Sequence, residues 1–155
     1  MGALIGIHVA AYAGHVESDI RPYVVHVDEA PVEAWDGIVS WRTLCSADRT
    51  PTAGMTVGVA EVPVGGTVDG AEHRHDQHEV YFVLSGSGRV LLDGSWHAVG
   101  RGATVFVPGG THHCVENTGD DPLELLYVLD ADSFHEVEYV FPDEGRSDVD
   151  GAASA

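Results

Sequence analysis

The stretch H-R-H-D-Q-H-E-V-Y-F-V-L-S-G, residues 73–86, decides how the rest of the sequence is interpreted. Successive side chains of an extended backbone point to opposite faces, so His73 and His75 face the same side. Glu79 and Tyr81 share that odd parity and return to the same face if D-Q-H makes only a small bend. Imidazole together with carboxylate suits a divalent transition metal. The stretch therefore predicts most of a metal site.

A second chemical cluster is T-H-H-C, residues 111–114. On a strand only one of His112 and His113 can face inward. His113 shares its parity with Val115, and this apolar partner favours His113 on the inside. His112 then points outward and is predicted to be solvated, as is His78. Cys114 is interpreted as a buried thiol, because free cysteine packs as a small hydrophobe.

Short apolar runs rich in β-branched and aromatic residues fill the chain, and hardly any helical period occurs. Glycine and proline separate these runs, and Asp93-Gly94 favours a two-residue hairpin. Many short strands joined by glycine-rich turns predict an all-β sandwich or barrel. The predicted strands are residues 23–27, 38–44, 55–62, 79–85, 89–92, 95–99, 104–107, 112–117, 123–129 and 134–141.

The length and composition limit the possible partners. The 155 residues suit one domain, and 25 acidic residues against 7 basic ones give a formal charge of -18. Such a surface repels phosphate backbones and anionic lipids, so neither nucleic acid nor membrane is expected as a partner. The absence of lysine is consistent with GC-rich coding bias, whereas the acidity as a whole is also typical of adaptation to high salt. Both interpretations remain open.

The two ends of the sequence differ from its middle. We predict an N-terminal extension over residues 1–22, a single domain over 23–141 and a disordered acidic tail over 142–155. The apolar stretch from Ala3 to Ala13 lacks a positively charged segment and is too interrupted to span a bilayer. We interpret it as an interface strand or a partly ordered extension. As an exposed patch it would favour a homodimer.

The cysteine content indicates the compartment. Only Cys45 and Cys114 are present, and they lie far apart in sequence. A small secreted domain stabilised by disulfides would carry more, so a cytoplasmic location is expected.

Two motifs now carry a family resemblance. The run H-x-H-x-x-x-E-x-x-x-x-x-x-G from His73 to Gly86 resembles the first motif of the cupin superfamily. The run G-x-x-x-x-x-P-x-G-x-x-H-x-x-x-N from Gly102 to Asn117 resembles the second. One departure concerns Gly70, which does not stand at the usual spacing before His73. The resemblance covers about residues 55 to 130 and implies a cupin-type β-barrel, that is, a double-stranded β-helix or jelly roll.

The resemblance also implies a ligand set. In cupins these motif positions supply three histidines and a glutamate to one metal, which here are His73, His75, Glu79 and His113. One divalent transition metal per chain is therefore expected, with Fe(II), Mn(II), Ni(II) and Zn(II) all open. The alternative is a vestigial cupin that keeps the barrel and binds nothing.

The implied function is a metal-dependent enzyme acting on a small carboxylate- or enol-bearing metabolite by dioxygenase or lyase chemistry. Glu79-Val-Tyr81 is similar to the Glu-x-Tyr of cupin lyases that cleave dimethylsulfoniopropionate, in which the tyrosine abstracts the proton α to the carboxylate. Generic cupins also often carry this tripeptide. Tyr81 is therefore a candidate catalytic residue, with a core tyrosine whose hydroxyl is hydrogen-bonded as the equal alternative.

A non-catalytic function is the alternative hypothesis. A ligand-sensing or storage cupin would bind metal and metabolite without turnover. Sensor cupins are usually fused to a helix-turn-helix, and no amphipathic helical pair occurs in this sequence. Fold alone does not decide between the two functions.

Overall fold

The computed structural model describes residues 20–35, 37–66 and 71–142. These residues fold into two antiparallel sheets. The larger sheet has the strand order β1-β2-β3-β9-β4-β7, and the smaller has the order β6-β5-β8. The strands are β1 Glu33–Trp35, β2 Val39–Cys45, β3 Thr56–Val62, β4 Glu79–Ser85, β5 Ser87–Leu92, β6 Ser95–Gly100, β7 Thr104–Val107, β8 His113–Asn117 and β9 Leu123–Leu129. Two short 3-10 helices are also present, and the described residues contain no α-helix. The all-β prediction is confirmed.

Alternating burial places one face of the larger sheet against the core. In β9 the odd-numbered residues from Leu123 to Leu129 are buried, and the residues between them are partly exposed. Val90 of the smaller sheet packs into the same cluster as Leu125 and Leu129. The two sheets therefore enclose one apolar interior, as the period-2 pattern of the strands requires.

The predicted hairpin at Asp93-Gly94 is confirmed. Both residues have positive φ, 44° and 81°, and Leu92 pairs directly with Ser95 across the turn. Asparagine, aspartate and glycine tolerate this conformation, which matches the twist of the flanking strands.

Two predicted strands are wrong. Residues 23–26 form no strand, and Val27–Glu29 is a 3-10 helix. At its start the Asp28 amide donates to Nδ1 of His26, and the His26 amide donates to the carboxylate of Glu29. Such local bonds compete with pairing in a sheet. The predicted strand 134–141 instead begins with a 3-10 helix, Phe134–Glu136. Phe134 and Val137 both line the interior cavity, and a spacing of three brings two side chains to one side only in a helical turn.

One strand was not predicted. β1, Glu33–Trp35, pairs with β2 through Trp35 and Val39. The dipeptide Asp36-Gly37 that follows β1 is the same turn signal as Asp93-Gly94.

Several predictions lie outside the described residues. They include the interface strand at residues 3–13, the tail at 143–155 and the position of Gly70. Within the part of the chain that is described, no helix has the length and apolarity needed to cross a bilayer. Cys45 and Cys114 are free thiols.

Candidate metal centre

Three histidines from two separate segments lie together at one end of the interior. His73 and His113 exchange both backbone hydrogen bonds, with N···O distances of 3.1 and 2.8 Å. This isolated bridge fixes the two segments side by side. The carbonyl of His75 accepts a 2.7 Å hydrogen bond from the Gly110 amide, which holds the second motif against the first. Ring nitrogens of His73, His75 and His113 lie within 4.8 Å of one another.

Each imidazole is oriented by a backbone carbonyl. The Nδ1 atoms of His73, His75 and His113 lie 2.8, 3.0 and 2.8 Å from the carbonyl oxygens of Ala71, Gln77 and Thr111. A carbonyl only accepts, so each Nδ1 carries the proton and donates it. The neutral tautomer then leaves a lone pair on each Nε2. This is the arrangement that metal-binding histidines show.

Glu79 is the first residue of β4, where it pairs with Val107 of β7 and Leu129 of β9. Its Oε2 atom lies 3.3 Å from Nε2 of His75 and 3.3 Å from Nε2 of His113. Burial opposes its charged form, but the imidazoles of His113 and His75, when they carry a proton on Nε2, and the hydroxyl of Tyr81 lower its pKa to about 2. A carboxylate is therefore present among the three imidazoles at neutral pH.

Tyr81 donates a 2.9 Å hydrogen bond to the same Oε2 atom of Glu79. The side chain is buried, and both burial and the negative charge of Glu79 raise its pKa well above 10.0. Without a nearby cation the group is thus a phenol at neutral pH. The predicted parity of Glu79 and Tyr81 is observed.

The donor set fits a divalent cation. Nε2 of His113 is buried and has no hydrogen-bond partner, because in this tautomer both it and the Glu79 oxygen 3.3 Å away only accept. Leaving a buried polar atom unpaired is costly, and such atoms call for an explanation. A metal ion at the convergence of His73, His75, Glu79 and His113 would use that lone pair. Three nitrogens and one oxygen suit Fe, Mn, Ni or Zn.

A cavity of about 300 Å³ extends from this centre through the interior. His73, Glu79 and Tyr81 line one end of it, and Glu33 and Trp41 also line its wall. Most of the remaining wall is apolar or aromatic. The volume lies at the lower end of the range for small-molecule sites, so a small metabolite fits.

The C-terminal segment, residues 130–142, closes over the histidines. Val140 exchanges two 2.9 Å backbone hydrogen bonds with Arg74, the residue between His73 and His75. The ring of Tyr139 lies 5.1 Å from that of His73 and 5.5 Å from that of His75. Burial and the charge of Glu79 raise the pKa of Tyr139 above its ordinary value.

The structure brings together every residue that the sequence placed at the site. His112 is partly exposed beside Glu72, and His78 is exposed beside Asp130, in agreement with their outward parity. Cys114 is buried, and burial raises the pKa of its thiol to about 11. Tyr139 was missed, because nothing in the sequence signals that an irregular segment returns to the histidines.

Comparisons with known proteins agree with this architecture. The family profile described as Cupin domain matches residues 58–129. The dimethylsulfoniopropionate lyase DddW of Ruegeria pomeroyi is 31% identical over 124 residues, which cover 77% of this chain and 80% of that protein.

Two solved structures are also similar. A predicted oxalate decarboxylase from Thermotoga maritima shares 26% identity at a TM-score of 0.62, covering 70% of this chain and 99% of that one. A cupin-2 domain protein from Rhodospirillum rubrum shares 21% identity at a TM-score of 0.64, covering 80% and 84%. The chain belongs to the cupin family, and its fold is the cupin β-barrel.

Proposed function

We propose that this cupin is a metal-dependent lyase that cleaves dimethylsulfoniopropionate or a closely related onium carboxylate. The observation that carries the proposal is the contact of the Tyr81 hydroxyl with Glu79, beside three histidines whose Nε2 lone pairs converge. This contact supports Tyr81 as a base beside the proposed metal. The similarity to DddW supports the choice of substrate.

His73, His75, Glu79 and His113 would hold the metal. A divalent cation bound there would take the substrate's carboxylate, acidify the adjacent C–H bond and favour the phenolate form of Tyr81. All four groups are preorganised by the protein, because carbonyls fix the imidazoles and β4 fixes the carboxylate.

Tyr81 is the proposed base. Its phenolate oxygen would take the proton from the carbon α to the carboxylate. The electron pair of that C–H bond forms the new C=C bond, and the β-carbon–sulfur bond breaks with its pair going to sulfur. The products are acrylate and neutral dimethyl sulfide, and Tyr81 regains its proton. Proton transfer by a positioned group contributes roughly 10²–10⁴-fold.

The cavity wall supports an onium substrate. Aromatic rings attract cations through their negative faces, and methylated onium groups are recognised in this way. Seven aromatic residues line the cavity, and none of the described residues that line it is an arginine. These aromatic residues are Trp35, Trp41, Tyr81, Tyr127, Phe134, Tyr139 and Phe141.

Dimethyl sulfide release tests the proposal. Metal-depleted protein is loaded separately with Fe(II), Mn(II), Ni(II) or Zn(II), and headspace gas chromatography follows the product. We expect release with at least one metal, without a requirement for oxygen. Product that forms only in the presence of oxygen would instead indicate a dioxygenase. The absence of any product with all four metals would contradict the proposal.

Tyr81→Phe tests the base. The substitution removes only the hydroxyl, so metal content and the fold should persist while turnover drops by about 10²-fold or more. Tyr139→Phe is the informative comparison, because Tyr139 brings a second phenol close to the histidines, and its hydroxyl makes no hydrogen bond to Glu79. A larger loss in Tyr139→Phe than in Tyr81→Phe would transfer the role of base to Tyr139. Tyr23→Phe, at an exposed position, is the control.

A further inference from the structure

We infer that the side of the cavity formed by β1 and β2 is a subsite for the cationic end of the substrate, with Glu33 as its specificity-determining residue. The inference rests on the proposed function for the identity of that substrate. β1 is separated from β4, which carries Glu79, by β2, β3 and β9 in the larger sheet. Glu33 and Glu79 both line the cavity. The cavity thus has two carboxylates, contributed by strands on different parts of the sheet.

The carboxylate of Glu33 is held in place by Arg49. One guanidinium nitrogen lies 3.1 Å from Oε2, and a second contacts Oε1. The side chain of Glu33 is 16% exposed, so it is mostly enclosed. Arg49 does not line the cavity. Glu33 therefore contributes to the wall of the ligand space, while Arg49, which holds its carboxylate, lies outside that wall.

A chain of hydroxyls connects Glu33 to Tyr127. Thr43 Oγ1 lies 3.4 Å from Oε1 of Glu33 and 3.3 Å from the hydroxyl of Tyr127, both long hydrogen bonds. A carboxylate only accepts, so the single proton of Thr43 points to Glu33, and Tyr127 must donate to Thr43. The lone pairs of the Tyr127 oxygen are then not used in this contact and can accept from another group.

Both tyrosines on the central strands thus donate their protons to acceptors. Tyr81 donates to Glu79, and Tyr127 donates towards Thr43. They are direct cross-strand partners of β4 and β9. Because both protons are donated elsewhere, the two hydroxyl oxygens present lone pairs. Such negatively polarised groups suit a cation and disfavour a second carboxylate.

Two indoles flank Glu33. Trp41 is its cross-strand partner on β2, and Trp35, two residues further along β1, lies on the same face. All three residues line the cavity. A carboxylate between aromatic side chains is a combination that attracts an onium group without any need for hydrogen bonds. The substrate would then lie with its carboxylate at the histidines and its onium group near Glu33.

A pair of isosteric ligands tests the subsite without turnover. The ligand 3-(trimethylammonio)propionate carries a cationic head, and 4,4-dimethylpentanoate has the same shape with a neutral tert-butyl head. Titration calorimetry on the metal-loaded protein should show the cation bound on the order of 10-fold more tightly, or about 1.4 kcal/mol. Equal affinities, or a preference for the neutral ligand, would overturn the inference.

Substitutions assign that preference to Glu33. Glu33→Gln removes the carboxylate from the cavity, while Arg49 keeps its contact with Asp48, so the preference for the cation should disappear. Arg49→Gln leaves the carboxylate without its counter-ion, so the preference should increase. This second variant keeps the test decisive if Glu33→Gln does not fold. Glu61→Gln, an exposed acid on β3, is the matched control and should leave the preference unchanged. A preference that stays constant in both Glu33→Gln and Arg49→Gln would refute the role of Glu33.

The outcome is separable from that of the proposed function. A cation preference that depends on Glu33, in a protein that releases no dimethyl sulfide, would support the subsite and contradict the lyase. Release of dimethyl sulfide without any cation preference would support the lyase and contradict the subsite.

Discussion

The ring orientation and tautomer of each histidine in the centre are fixed by the hydrogen bond of its Nδ1 atom. Each of the three carbonyl acceptors is two residues from the histidine that it orients, so the orientation is a local property of each turn. A ring that is held in one tautomer loses little freedom on binding a metal. This explains how three histidines from two distant motifs can present the same nitrogen inward.

His73 gives the metal-free protein a defined pH dependence. Burial and the nearby His113 lower its pKa from 6.5 to about 4. His73 is protonated below about pH 6.5 in the unfolded chain but only below about pH 4 in the folded chain. The free energy of unfolding is therefore highest above pH 6.5 and decreases as the pH falls from 6.5 to 4. Between pH 7 and pH 5 the loss from this residue should be on the order of 1–2 kcal/mol.

Urea unfolding of chelator-treated protein measures this loss. His73→Asn should lose less stability between pH 7 and pH 5 than the unsubstituted protein, because its side chain does not titrate. His97→Asn, exposed on β6, should behave like the unsubstituted protein. Equal losses for the His73→Asn variant and the unsubstituted protein would show that His73 titrates normally in the fold.

The residue-level predictions from sequence succeeded where they depended on parity. The shared facing of His73 with His75 and of Glu79 with Tyr81, and the inward facing of His113, follow from alternation along extended segments. Their roles as metal ligands and base stay predictions that the family resemblance implies. Glu33 and Tyr139 could not be found in this way. Their approach to the cavity depends on which strands and loops become neighbours, and that is decided by long-range packing.

Among the elements, β3 shows how a residue without a side chain makes room for a buried tyrosine. Gly58 pairs directly with Tyr127 of β9. A Cβ atom at Gly58 would lie 2.5 Å from Cζ of Tyr127 and would overlap its hydroxyl and the Arg42 carbonyl. Because a backbone carbonyl cannot move aside easily, only glycine fits here.

Gly58→Ala should therefore destabilise the protein by roughly 2 kcal/mol or more, the usual cost of overpacking a core. Gly100→Ala on β6 is the matched control, since a Cβ atom there would meet only the Gly86 carbonyl, 4.0 Å away. Urea midpoints at equal m-values measure both changes. Equal stabilities of the two variants would mean that Tyr127 moves away without cost.

Strand prediction was most accurate where burial alternates. The predicted ranges 104–107 and 123–129 coincide with β7 and β9. The failures at 23–27 and 134–141 share a cause, because both are rich in aromatic and β-branched residues without a strand to pair with along most of their length. The β-propensity of a segment describes how well its side chains suit a pleated surface. Whether a partner strand lies beside the segment depends on the tertiary fold.

At the scale of the whole molecule, the charge of -18 makes salt the most informative variable. If the acidic surface is a high-salt adaptation, mutual repulsion destabilises the fold at low ionic strength. Raising KCl to 1 M shortens the Debye length to about 3 Å and should raise the thermal unfolding midpoint strongly. A midpoint that does not change with KCl would favour coding bias as the origin of the composition.

The predicted homodimer also belongs to this scale. Its proposed contact, residues 3–13, lies outside the described residues. Analytical ultracentrifugation of the full chain and of a chain lacking residues 1–16 would measure that contribution. Equally tight dimers in both would assign the interface to another surface.

The metal centre is the claim on which the remaining proposals depend, and elemental analysis tests it most directly. Protein purified without chelators should contain one divalent transition metal per chain. His75→Ala combined with His113→Ala removes two buried Nε2 ligands and should reduce the content to background, while His78→Ala combined with His112→Ala, both outside the centre, should leave it unchanged. Stoichiometric metal retained in a folded His75→Ala/His113→Ala variant would contradict the account.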